Sequence, residues 1–207
     1  LQLGRLDGLA AMLDELLAAS RTLGANAKRE VRLLQVQALT DLGRLPEAGA
    51  ALADADALFA PLRADKRYAA HRLLLAQAQW ALAAGELVRA QGAIDEAGSV
   101  VAATAQGDDP AWHKIHQWQA RVQLANGRAA DALKAADAAL DWSQRLAVDP
   151  DGSTHVADDR LLRAQAQRML GRAEAARTDA VVAERHARAA GGEDHPLVRL
   201  AHAESLR

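Results

Sequence analysis

Apolar residues recur at helical spacing along almost the whole chain, with charged and amide residues between them. Leu9, Leu13, Leu16 and Leu17 fall on one face of a helix expected over Leu6–Leu23. Further helical stretches are expected at about 27–42, 44–60, 65–84, 86–103, 110–125, 128–145, 155–170, 172–190 and 196–206. The breaks between them carry stop and start signals. Gly24 and Asn26 mark the first, and Pro61 is expected to end the helix before it. Gln106-Gly107-Asp108 reads as a loop, and Asp109 before Pro110 as a cap followed by proline in the first turn. Asp149-Pro150-Asp151-Gly152 reads as a turn cluster, with Ser153 or Thr154 capping the next helix.

Four of the breaks are alike. Gly43, Gly85, Gly127 and Gly171 lie 42, 42 and 44 residues apart, each in a short turn between two helical stretches. An alanine follows five residues later (Ala48, Ala90, Ala132, Ala176) and another twelve later (Ala55, Ala97, Ala139, Ala183). This is an internal repeat. Glycine at the turn can take the left-handed conformation that stops the first helix, helix A, sharply. The short link then folds the second helix, helix B, back on it. The two alanines are seven apart and share a face, so their small side chains let helix A approach, with Leu52 and Ile94 filling space beside them. A lone pair of helices cannot bury its apolar face, so neighbouring pairs stack. The expected organisation is one all-α domain over 1–207. It comprises a truncated repeat (1–24), four repeats (25–64, 65–108, 109–153, 154–192) and a terminal helix (193–207).

Composition narrows the class. Half of the 207 residues are apolar, many of them alanine, and only 3% are aromatic. That suits closely packed helices and disfavours a sheet. The net charge is −2 with both signs interleaved, so nucleic-acid binding has no electrostatic support. The absence of cysteine excludes disulfides, thiolate metal sites and a cysteine nucleophile. No apolar run approaches the ~20 residues that span a bilayer, and the first residues do not read as a signal peptide. The chain starts at Leu1 in mid-pattern, which reads as part of a longer protein. Cytoplasmic residence is favoured, with the periplasmic part of a membrane-anchored protein as the alternative.

With glycine at the turn and the paired alanines after it, the chain resembles tetratricopeptide repeats. The bulky residue between the alanines is Leu52 or Ile94 in two repeats and Ala136 or Ala180 in the others. The residue two after glycine is Leu45, Leu87, Ala129 and Ala173. The family's usual unit has about 34 residues. The period near 42 is similar to the longer, kinesin-light-chain-like subclass, as is the segment Gly191-Gly192-Glu193-Asp194-His195-Pro196. Helix A departs from the family: its usual leucine eight before the turn glycine is Gln35, Gln77, Gln119 and Arg163.

The resemblance implies a right-handed superhelical solenoid whose A helices line a concave groove. The groove residues it implies include Leu33, Gln37, Asp41, Arg72, Leu75, Gln79, Gln117, Arg121, Gln165 and Arg168. Gln37, Gln79, Arg121 and Gln165 occupy equivalent positions and would form a polar ladder for an extended peptide backbone. The implied function is a non-catalytic protein- or peptide-binding module. Similar repeats occur in the C-terminal regions of bacterial serine/threonine kinases and in LuxR/MalT-type transcription regulators. Two alternatives stay open: a ligand-sensing domain of such a regulator, and a structural scaffold that self-associates through its terminal repeats. No membrane contact is expected of this chain.

Chemistry beyond binding finds little support. His113 and His116 share a helix face at a spacing that metal sites use, but no third ligand is near in sequence, and packing explains them better. Asp149–Gly152 lacks the remaining ligands of a calcium loop. There is no phosphate-binding glycine loop, nucleophile elbow or paired catalytic carboxylates. No enzyme and no cofactor are expected. Trp80 and Trp118 are expected to pack as large fillers, and Trp112 and Trp142 to lie partly exposed near inter-repeat loops.

Overall fold

The computed structural model describes residues 12, 15–19, 22, 24–65, 67–105 and 108–207. The expected helix over Leu6–Leu23 lies largely outside these residues, although 15–19 are helical; so do Gln106 and Gly107 of the expected loop. The described residues are helical, without strands: α1 (Ala25–Asp41), α2 (Leu45–Ala64), α3 (Ala70–Ala83), α4 (Leu87–Thr104), α5 (Ala111–Ala125), α6 (Ala129–Leu146), α7 (Thr154–Met169), α8 (Ala173–Gly191) and α9 (Pro196–Ser205), with a 3-10 turn at Pro150–Gly152. They divide into two compact units, 1–108 and 109–207. In the first, α1 packs on α2, α3 on α4, and α3 also on α1 and α2. In the second, α5 packs on α6, α7 on α6 and α8, and α9 on α8 and α7.

The four turns are built alike. Gly43, Gly85, Gly127 and Gly171 have φ of 71°, 77°, 72° and 75°, in the left-handed region. In each, the amide after the glycine reaches back to a carbonyl five residues earlier: Arg44 to Leu39, Glu86 to Ala81, Arg128 to Gln123 and Arg172 to Gln167, at 2.8–2.9 Å. This is the Schellman closure, and it satisfies carbonyls that the end of a helix would leave open. The eight repeated alanines are all buried, as are Leu52, Ile94, Ala136 and Ala180 between them.

Two boundaries differ from expectation. Helix α2 runs through Pro61 to Ala64. Proline forfeits one amide bond there, but the extra turn is held from outside. Leu62 packs on the core and Arg63 pairs with Asp56 at 2.6 Å and Glu96 at 3.5 Å. Helix α3 begins at Ala70 rather than near Asp65. At the other expected starts, Asp109 accepts the amide of Ala111 at 2.8 Å and the Ser153 hydroxyl that of Val156 at 3.4 Å. In the Asp149–Gly152 turn, the Asp149 carboxylate accepts the amide of Asp151 at 3.1 Å.

The cores of the two units are filled differently. The first gathers Leu33, Val36, Leu39, Leu52, Phe59 and Leu73. The second relies on alanines, with Leu161, Leu162 and Val198. Alanine in place of leucine at one core position forgoes roughly 2 kcal/mol of apolar burial. Among the described residues the buried carboxylates, Asp159, Asp179 and Glu204, all lie in this second unit.

Candidate functional site

In both units the A helices lie side by side and are tied by polar side chains. Across α1 and α3, the Arg72 guanidinium grips both carboxylate oxygens of Glu30. Farther along, the Gln79 amide donates to Asp41 at 2.9 Å. Across α5 and α7, Arg121 donates to Asp158 at 2.5 Å, and Gln117 donates to Asp158 at 3.0 Å and to Asp159 at 2.8 Å. Across α7 and α9, Arg168 holds both the carboxylate and the backbone carbonyl of Glu204.

The expected groove residues therefore fall into three groups. Leu33 is only 3% exposed and belongs to the core; Gln117 is likewise 3% exposed, held by the two aspartates. Asp41, Arg72, Gln79, Arg121 and Arg168 reach the surface of their helices but are paired with a neighbouring A helix. Gln37 is exposed, and Leu75 and Gln165 are half-buried. Of the four members of the expected ladder, Gln79 and Arg121 are thus tied to a neighbouring A helix, while Gln37 is exposed and Gln165 half-buried.

Lys114, on the same stretch, donates to Gln117 at 3.0 Å. Burial pushes its ammonium below the usual lysine range, while the carboxylates of Asp158 and Asp159 pull the other way. The network ends at His113, whose Nε2 lies 2.8 Å from Asp159. Asp159 is fully buried and stands twelve residues before its turn glycine, where the other repeats have Val31, Leu73 and Ile115. Sequence reasoning missed this site. The signal was present as one acid at a position otherwise apolar in the internal repeat.

Of the four helix-A residues that stand in place of leucine, Gln35 and Gln119 pair within their own helix, with Arg32 and His116, while Gln77 and Arg163 have partners on helix B. Arg163 donates to Asp179 at 2.7 and 2.5 Å and lies 3.6 Å from Asp137, and Gln77 reaches Asp56 at 3.4 Å. Pairing with Asp179 raises the Arg163 pKa above its ordinary value.

His113 and His116 are drawn apart in role. His116 stacks on Trp112 with ring centroids 5.6 Å apart, and its Nδ1 lies 3.4 Å from Gln119. The tryptophans are all half-buried. Trp80 packs against the first unit's core and donates to the Leu45 carbonyl at 3.0 Å, under the Arg89 guanidinium. Arg121 covers Trp118 and Arg145 covers Trp142, so arginine or histidine occupies one face of each indole. Among the described residues no three potential ligand side chains converge as a metal would require, and no helix is long and apolar enough to cross a membrane.

Comparison with known proteins adds no relative: no protein-family model matches this chain, and no curated protein matches it.

Proposed function

We propose that this chain is a non-catalytic binding module of the tetratricopeptide kind, whose stacked helix pairs form a superhelical solenoid and whose A helices receive a peptide or protein segment. The observation that supports this reading most is the side-by-side placement of A helices in each unit, edged with amides and charges. Gln37, Asp41, Arg72 and Gln79 edge α1 and α3; Arg121 and Gln165 edge α5 and α7. An extended peptide offers alternating carbonyl and amide groups that such side chains can bind. The repeated turn, with its left-handed glycine and buried alanines, supports the same reading. In a larger signalling protein, such as a serine/threonine kinase or a LuxR/MalT-type regulator, the module would sense or recruit.

The test is selection of binding peptides from a random display library, followed by calorimetry. The expected result is that selected peptides lose at least about tenfold in affinity for Gln37→Ala/Gln79→Ala or for Arg121→Ala/Gln165→Ala. Peptides that bind both variants as tightly as the parent would overturn the proposal.

A second reading, assembly through the last helix, is favoured by Leu200 and Leu206, which are 57% and 72% exposed on and beside α9. Its test is analytical ultracentrifugation of the parent and of Leu200→Glu. A parent that stays monomeric at high concentration would sink that reading.

A further inference from the structure

Counted from the turn glycines, the repeats place Arg32, Leu74, His116 and Arg160 eleven residues before the turn. Where arginine stands there, helix B of the same repeat supplies a carboxylate. Arg32 pairs with Asp54, eleven after its glycine, at 3.1 Å. Arg160 pairs with Asp179, eight after its glycine, also at 3.1 Å, and Arg163 binds the same carboxylate. The third repeat breaks this arrangement. It has His116 at the cationic position and alanine at both acidic ones, Ala135 and Ala138. Between them lies a cleft of about 230 Å³, lined by His116, Gln119, Gln123, Lys134 and the two alanines, with the Arg128–Asp131 pair at its side.

We propose that this cleft binds a carboxylate from outside the chain, which takes the place that the Asp179 side chain fills in the fourth repeat. Gln119 and His116 occupy the positions of Arg163 and Arg160. His116 Nδ1 faces the Gln119 oxygen at 3.4 Å, so the donors left for a carboxylate are the Gln119 amide N–H and, on the imidazolium, Nε2–H. Arg128 is occupied by Asp131 at 2.7 Å, so Lys134, exposed on the lip, supplies the attracting charge. The cleft is smaller than the ~300 Å³ at which ordinary small-molecule pockets begin. It therefore fits a small organic acid or a single acidic side chain of a partner, and it excludes a nucleotide or larger cofactor. Burial holds His116 below the usual histidine range, and an entering carboxylate offsets that cost by favouring the imidazolium.

The experiment is a titration of the full chain, with ring-labelled histidines, by succinate, by N-acetylglutamate amide and by neutral succinamide. His116 signals are assigned by their loss in His116→Gln. The expected result is that at least one of the two carboxylates shifts the His116 ring signals and raises its titration midpoint, while succinamide does neither. Response to succinate alone identifies a free acid as the ligand; response to N-acetylglutamate amide alone identifies an acidic side chain; response to both identifies carboxylate recognition as such. Lys134→Ala, a change at an exposed position, weakens the response about tenfold. Ala135→Asp builds the carboxylate into the chain and abolishes it. If Ala135→Asp does not fold, Lys134→Ala decides. Unmoved His116 signals far above millimolar carboxylate, or undiminished binding by Lys134→Ala, overturns the proposal.

Discussion

Asp159 on α7 and His113 on α5 meet with 2.8 Å between the carboxylate and Nε2, both buried, at a position the other repeats fill with aliphatic side chains. A buried carboxylate survives there because His113 and Gln117 satisfy it from the neighbouring A helix. Asp159→Val restores the repeat's apolar residue but strands the buried His113 and leaves the Gln117 amide with Asp158 as its one carboxylate. It is expected to cost about 3 kcal/mol in urea unfolding. Asp159→Val combined with His113→Leu and Gln117→Leu removes the whole network and should recover most of that loss. A triple variant no more stable than Asp159→Val would show that the network is not what makes the single change costly.

Asp179 gives the opposite asymmetry. Its carboxylate is buried, whereas Arg160 and Arg163 keep part of their side chains in solvent. Asp179→Ala installs the residue that the other repeats carry (Ala51, Ala93, Ala135) and leaves two part-exposed guanidinium groups, of which Arg163 keeps Asp137 at 3.6 Å. The expected cost is about 1.5 kcal/mol, the loss of hydrogen bonds to charged groups that water replaces in part. Arg160→Ala with Arg163→Ala leaves a buried, unpaired carboxylate and should cost about 3 kcal/mol. Chemical denaturation of the two variants side by side checks the order; a reversed order would contradict it.

These two carboxylates mark where the sequence was legible and where it was not. The turn glycines, the alanines and the near positions of the helices follow from local periodicity and short-range chain geometry, and the structure reproduces them. The side chains of helix A depend on residues far along the chain. Arg163 is fixed by Asp179, Gln79 by Asp41, and Gln117 by Asp158 and Asp159. Spacing within one helix cannot distinguish a solvent-facing glutamine from one held by a neighbouring helix. Leu33, placed in the groove by resemblance, is in the core for the same reason: α1's rotation is set by what packs on it. The run through Pro61 also escaped local reading, because the last turn of α2 is held by tertiary contacts.

The turn glycines can be tested without touching any packing. A Cβ added at Gly127 or Gly171 meets nothing within 4 Å, so the penalty for alanine is purely the left-handed backbone. Gly127→Ala and Gly171→Ala should each cost about 1–2 kcal/mol. Asparagine, which tolerates this region better, should cost less than alanine. Thermal unfolding of the four variants measures both differences. An alanine variant as stable as the parent would mean that the turn can adopt another geometry.

His116 ties stability to pH. Burial is the main cause of its lowered pKa; the Gln119 hydrogen bond opposes it and neighbouring His113 adds to it. The ordinary value is 6.5, so the folded state holds the proton less tightly than the unfolded chain. The unfolded state therefore binds more protons as the pH falls past that value, and stability declines. Burial also lowers His155, which adds in the same direction but less, because its side chain is exposed. The contribution is fully present above pH 6.5 and is lost progressively below it. Melting temperatures followed from pH 7.5 to pH 5 should fall less steeply for His116→Gln than for the parent, with the two curves converging toward the acidic end. Parallel curves across that window would show that the His116 proton is not linked to folding. Saturating carboxylate should flatten the parent's curve if the cleft beside His116 is filled, which joins this measurement to the binding titration.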